Sequence, residues 1–228
     1  MTLRSCCEYG SATSRGTSRV SCALLTQAGI EGSYVLVGHS FGGLYMQTYA
    51  ARYPDEVAGA ALVESSHPDQ FSYRQVARDS YEPQKQILDV FSLAARLGIV
   101  RLVSKLAPTS PELPPQQRAQ IDALTPSTRQ VSTTALEFRA TPQTVTQTRS
   151  LRSLGNKPLA VVSAPKQAEP GWLKLQDKLA TLSTNSIHRV VKGATHTSLL
   201  YDKRDSQATS AAILDVVAAV RNDRPLTR

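Results

Sequence analysis

The pentapeptide Gly38-His39-Ser40-Phe41-Gly42 is where this sequence looks built for chemistry. Its G-x-S-x-G order, with an apolar run before it and a helical pattern after it, predicts a tight strand-to-helix turn holding a serine in strained backbone, its hydroxyl clear of the sheet edge. The flanking glycines leave room for such a turn, and Gly43 adds clearance. The helix that follows begins at the serine, so its free N–H groups and dipole favour a developing negative charge there. A serine is a weak nucleophile until a base takes its proton. The chain offers four histidines for that task. His39, inside the turn, is expected to point away from the hydroxyl, and His188 falls within an apolar strand. His67 opens a helical segment, and His196 sits in the loop Gly193-Ala194-Thr195-His196. A carboxylate must then orient the imidazole; Glu64, Glu169 and Asp177 are available, Asp177 least suited because it lies inside a helical pattern.

The elements that position these residues follow from hydrophobic spacing. Tyr34-Val35-Leu36-Val37 reads as a strand, and Phe41, Leu44, Tyr45 and Tyr49 mark one face of the helix after it. Pro54 ends that helix, and Val57 to Val63 is an unalternating apolar run suited to a strand covered on both faces. Pro158 to Ser163 and Ile187 to Val191 repeat this character. Each precedes a helical pattern, one marked by Trp172, Leu175, Leu179 and Leu182, the other by Ile213, Val216, Val217 and Val220. Strands alternating with helices predict an α/β protein with a mostly parallel sheet. Between the second and third strands, His67 to about Asn156 carries Ile87, Val90, Phe91, Ala94 and Leu97 at helical spacing, punctuated by prolines, and reads as an inserted helical lobe. Before the turn lie a helix over Val20 to Ile30, with Ser18 as N-cap and Gly29 near its end, and a short strand at Leu3 to Cys7.

The run Tyr34 to Gly43 resembles the nucleophile elbow of the α/β-hydrolase superfamily. Tyr53-Pro54-Asp55-Glu56-Val57 and Leu62-Val63-Glu64-Ser65-Ser66-His67-Pro68 resemble its esterase-like and iminopeptidase-like members with helical caps. The resemblance implies an α/β-hydrolase core from residues 1–66 and 157–228 with a helical cap at 67–156. It also implies a serine hydrolase that cleaves a carboxylic ester or small amide through an acyl-enzyme. Ser40 is then the nucleophile, His196 the base, and Phe41 N–H an oxyanion donor. Glu64, closing the strand beside the elbow, is preferred as the acid over Glu169 in the loop after the third strand. One carboxylate is expected about 2.6–3.2 Å from a ring nitrogen of His196.

The departures from the pattern matter too. No His-Gly pair precedes Ser40 to mark the second oxyanion donor, although Tyr9-Gly10-Ser11 faintly resembles the loop after the family's fourth strand. The first strands are expected to be missing, which implies weak activity, since one lost donor costs about 10² to 10³ in turnover. The vacant sheet edge implies self-association, with Leu3 to Cys7 either pairing there or staying loose. The alternative is a catalytically impaired remnant or binding protein of the same fold.

Composition limits the other readings. With 228 residues, 41% hydrophobic and 19% charged, the chain suits one folded domain. The net charge of +8 is scattered, with no basic run of the kind that marks a nucleic-acid surface. No apolar run approaches the roughly 20 residues that span a bilayer, so no membrane partner is expected. No His/Cys cluster suggests a metal, and the implied chemistry needs no cofactor. Cys6, Cys7 and Cys22 make a poor disulfide framework, and Met1 to Gly10 lacks a secretory apolar region. Together these predict a cytoplasmic protein, unless a start lost upstream carried a leader.

Overall fold

A computed structural model describes residues 14–73, 79–106, 113–166 and 168–226. Four parallel strands form one sheet in sequence order: β1 (Tyr34–His39), β2 (Val57–Val63), β3 (Leu159–Ser163) and β4 (Ser186–Val190). The four strands predicted from Tyr34 onward are present, with ends shifted by at most a residue or two. β2 and β3 alternate between two apolar layers. Ala60, Leu62, Leu159 and Val161 pack with Tyr49, Ala50 and Leu179 on one face, while Ala61, Val63, Ala160 and Val162 pack with Leu199, Ala212 and Val216 on the other. Both layers are apolar because helices cover both faces, which is why these strands read as continuous apolar runs.

The first layer is roofed by α1 (Ser14–Gln27), α2 (Gly42–Arg52) and α9 (Trp172–Ala180). The second is covered by α10 (Ser198–Tyr201) and α11 (Lys203–Arg221), the latter capped by Asp202, whose carboxylate accepts from the N–H groups of Arg204 and Asp205. Between β2 and β3 run α3 (Gln70–Tyr73), α4 (Tyr81–Arg96), α5 (Ile99–Ser104), α6 (Pro115–Leu124), α7 (Thr128–Arg139) and α8 (Thr141–Thr148). Pro115 and Pro142 sit in the first turns of α6 and α8, where a missing N–H costs nothing. The last of these helices packs on α1 and α2, tying the segment to the sheet.

Two expectations change. The first helix starts earlier than Val20, so Ser18 is a buried helical residue rather than a cap. Cys22, read from the sequence as part of a poor disulfide framework, is disulfide-bonded. Ile87, Val90 and Phe91 of α4 and Leu97 directly after it, whose helical spacing marks this segment in the sequence, are exposed. Leu3 to Cys7 and Tyr9 to Ser11 lie outside the described residues. Among those described, β2 is the one strand partner of β1, leaving β1 outermost. No described helix is long and apolar enough to cross a membrane.

Candidate active site

Ser40 follows β1 with φ of +53°, a backbone region that costs a non-glycine residue energy and marks sites where geometry is held for a purpose. Its N–H still donates to the Val63 carbonyl at 3.1 Å, so the chain leaves the sheet only after the last ladder bond. The Ser40 carbonyl accepts from Gly43 N–H at 3.1 Å and from Ser66 N–H at 2.9 Å, locking the turn to α2 and to the strand next door. Two glycines make this approach feasible. A Cβ on Gly38 would lie 2.7 Å from Gly43 Cα, and one on Gly43 would lie 1.8 Å from Ser65 Oγ. Gly42, within the pentapeptide, faces open space, so the steric need falls on Gly38 and Gly43. Phe41, at the N-cap position, leaves its N–H without a hydrogen-bond acceptor among the described residues, open to a charge developing at Ser40.

Glu64 closes β2 in the same strained region, with φ of +42°. It is buried, its Oε2 accepting from Ala164 N–H at 2.8 Å and its Oε1 from the Trp172 indole N–H at 2.6 Å. His196 lies in the loop between β4 and α10, beside His39, with ring centroids 4.5 Å apart. His39 Nε2–H donates to the His196 carbonyl at 3.0 Å, so this histidine ties the turn to the His196 loop and lines neither cavity at Ser40. Desolvation, then the neighbouring His39, lower the His196 imidazole to about 4. Ser40, Glu64, Glu169 and His196 line one cavity of about 330 Å³. The close contact expected between His196 and a carboxylate is not made: the imidazole has no hydrogen bond to Glu64 or Glu169, and both Glu64 oxygens bond elsewhere. This carboxylate therefore faces its neighbours as a strand-end anchor for the β3–α9 loop.

A second cavity of about 360 Å³, sharing Ser40, Ser66, Gln70 and Glu169 with the first, is walled by Gln84 of α4, by Glu137 and Phe138 of α7, and by Phe41. Burial raises the Glu137 carboxyl, although the neighbouring Tyr45 hydroxyl pulls it back. The helical segment thus forms one wall of the space a substrate would enter.

The remaining histidines serve structure. His67 is buried and accepts Asp69 N–H on Nδ1 at 2.9 Å, and burial lowers it to about 4. Asp69 in turn meets Lys178 at 2.5 Å and Arg149 at 3.3 Å. His188 bridges Ser163 Oγ and Asp177 Oδ1, each at 2.7 Å, a serine–histidine–aspartate chain in form. Ser163 is fully buried at the end of β3 and lines neither of the two cavities at Ser40, so this chain ties α9 to the sheet. Trp172 and Gln176, which hold Glu64 and the Ser65 carbonyl from α9, were not singled out for this role from sequence. Among the described residues no cluster of His, Cys, Asp and Glu could hold a metal.

Comparison with known proteins agrees with this layout. Residues 20–110 match a family model described as alpha/beta hydrolase fold. The chain is 29% identical over 188 residues to an uncharacterized protein of Schizosaccharomyces pombe, covering 78% of this chain and 33% of the yeast protein. It therefore spans about a third of that relative's length. Among solved structures it superposes on an esterase from Thermogutta terrifontis, with TM-score 0.63 and 20% identity, covering 93% of this chain and 75% of that one. A putative epoxide hydrolase from Pseudomonas aeruginosa gives TM-score 0.69 at 15% identity, covering 94% and 75%. An epoxide hydrolase from Bacillus megaterium gives 0.64 at 14%, covering 90% and 76%.

Proposed function

We propose, from the premise that this chain has the α/β-hydrolase fold, that it is a serine hydrolase acting on a carboxylic ester, with small amides next. The observation that carries the reading is Ser40 at positive φ on the strand-to-helix turn, sharing a cavity with His196 and Glu64. Ser40 Oγ attacks the carbonyl carbon while its proton passes to the neutral His196 imidazole. The oxyanion is met by Phe41 N–H at the start of α2. The tetrahedral intermediate collapses, the C–O bond to the alcohol breaks, and His196 returns its proton to the leaving oxygen. Water then attacks the acyl-enzyme by the same route, releasing the acid and restoring Ser40. Glu64 orients the imidazolium as it forms; such contacts are often loose before substrate binds. The helical segment over residues 67–156 acts as a cap that shapes the acyl pocket.

Hydrolysis of short p-nitrophenyl esters tests this reading. Turnover lost in Ser40→Ala and reduced in His196→Ala supports it. Equal turnover in Ser40→Ala and the parent removes it. A second reading, an impaired or binding protein of the same fold, is favoured by one observation: both Glu64 oxygens are engaged away from His196. It predicts a folded protein that binds esters without turnover. The Cys22 disulfide favours an oxidising compartment over the cytoplasm expected from the sequence.

A further inference from the structure

Helix α4 meets α7 through small residues. Ala95 is buried against α7, Ser92 Oγ lies 3.0 Å from Ser132 Oγ, and Thr128 Oγ1–H donates to the Ala95 carbonyl at 2.9 Å. The large apolar residues Val90 and Leu93 of α4, and Leu97 directly after it, are exposed instead. The neighbouring α5 and its exit carry Leu102, Val103 and Leu106, also exposed. Leu97 and Leu102 are each 69% exposed and Leu106 is 84% exposed. A soluble surface rarely shows so many large apolar side chains on one pair of packed helices, and such a patch marks a contact face.

Charge says what kind of contact. Arg96, Arg101 and Lys105 are interleaved with these apolar residues, exposed, and without an ion pair among the described residues. No acidic residue occurs between Asp89 and Glu112, and Asp89 is already held by Arg139 at 2.6 Å. A second copy seated on this face by a two-fold would bring three cations against three like charges. An anionic bilayer surface instead takes apolar side chains at its acyl boundary and cations at its headgroups.

We propose that the outward face of α4 and α5 is a docking surface for anionic membrane lipid, on which the protein lies without crossing. This revises the expectation of no membrane partner. The same α4 presents Gln84 to the cavity beside Ser40, so docking would turn that cavity's α4 wall toward the bilayer.

Co-sedimentation of the full chain with vesicles tests the proposal. Phosphatidylcholine vesicles with about 30% phosphatidylserine should carry the protein down, and phosphatidylcholine alone should not. Binding should fall several-fold when salt rises to about 0.5 M, a readout that needs no variant. Neutralising Arg96, Arg101 and Lys105 to Gln should weaken binding about fivefold for each. The pair Leu97→Glu and Leu102→Glu should abolish it while leaving the circular dichroism unchanged. Equal binding to both vesicle types, binding insensitive to salt, or no binding to either would overturn the proposal. So would a dimer in solution that the two Glu substitutions dissociate.

Discussion

Gly43→Ala is the substitution whose consequence the elbow geometry fixes most tightly. Its new Cβ would lie 1.8 Å from Ser65 Oγ and 2.6 Å from Ser65 Cβ. Rotating the hydroxyl relieves the first contact but not the second. Bringing the two carbons to about 3.4 Å requires about 0.8 Å of movement by a fully buried residue, a case of overpacking. Such overpacking costs about 1–3 kcal/mol, and the helix-propensity gain from glycine to alanine returns about 0.5–1 kcal/mol. The net loss is about 1–2 kcal/mol, or roughly 2–8 °C in melting temperature for a chain of this length. Ser65 precedes Ser66, whose N–H holds the Ser40 carbonyl, and follows Glu64, so the shift reaches the reacting groups. A misplacement of about 1 Å there lowers turnover about 10²-fold. Gly42→Ala is the control: it sits in the same helix turn, meets nothing within 4 Å, and should be neutral or gain up to about 1 kcal/mol. Urea unfolding together with ester turnover on the two variants reads both effects. Equal stability and equal turnover in Gly43→Ala and Gly42→Ala would refute the steric argument.

Trp172→Phe removes the indole donor from Glu64 and leaves a buried carboxylate short of a hydrogen bond, which should cost about 1–3 kcal/mol by urea unfolding. His67 is lowered from 6.5 to about 4 in the folded state, so the unfolded chain takes up its proton first as pH falls. Its contribution is complete above about 6.5 and declines toward 4. His67→Asn, which keeps an acceptor for Asp69 N–H, should flatten stability across that window. For His196, also lowered to about 4, the acid limb of kcat/KM should fall well below 6.5. The proposed role of Glu64, meeting the imidazole once substrate is bound, places the limb of kcat higher; coincident limbs would count against that step.

The strands and the elbow were legible because their signals are local. Val57 to Val63 is apolar throughout since β2 is covered on both faces, and Gly38 to Gly43 announces a turn that only small residues can make. The helical segment was legible in period but not in orientation. Spacing finds an amphipathic helix at Tyr81–Arg96 without telling which medium its apolar face meets, and here the small residues Ser92 and Ala95 face α7. The site was legible in part. Ser40, Glu64 and His196 meet at one cavity as their strand-end positions imply, yet the partners of Glu64 come from Ala164 and Trp172, 100 and 108 residues away in sequence. No spacing rule reaches that far. The bond from His39 to the His196 carbonyl, 157 residues away in sequence, is equally out of reach of any local pattern.

The central claim is that Ser40 is an activated nucleophile, and covalent labelling by a fluorophosphonate tests it without needing the natural substrate. Peptide mass spectrometry of the labelled chain should find the adduct on Ser40, with labelling abolished in Ser40→Ala and slowed in His196→Ala. Labelling that persists in Ser40→Ala, or that proceeds at the parent rate in His196→Ala, would contradict the account.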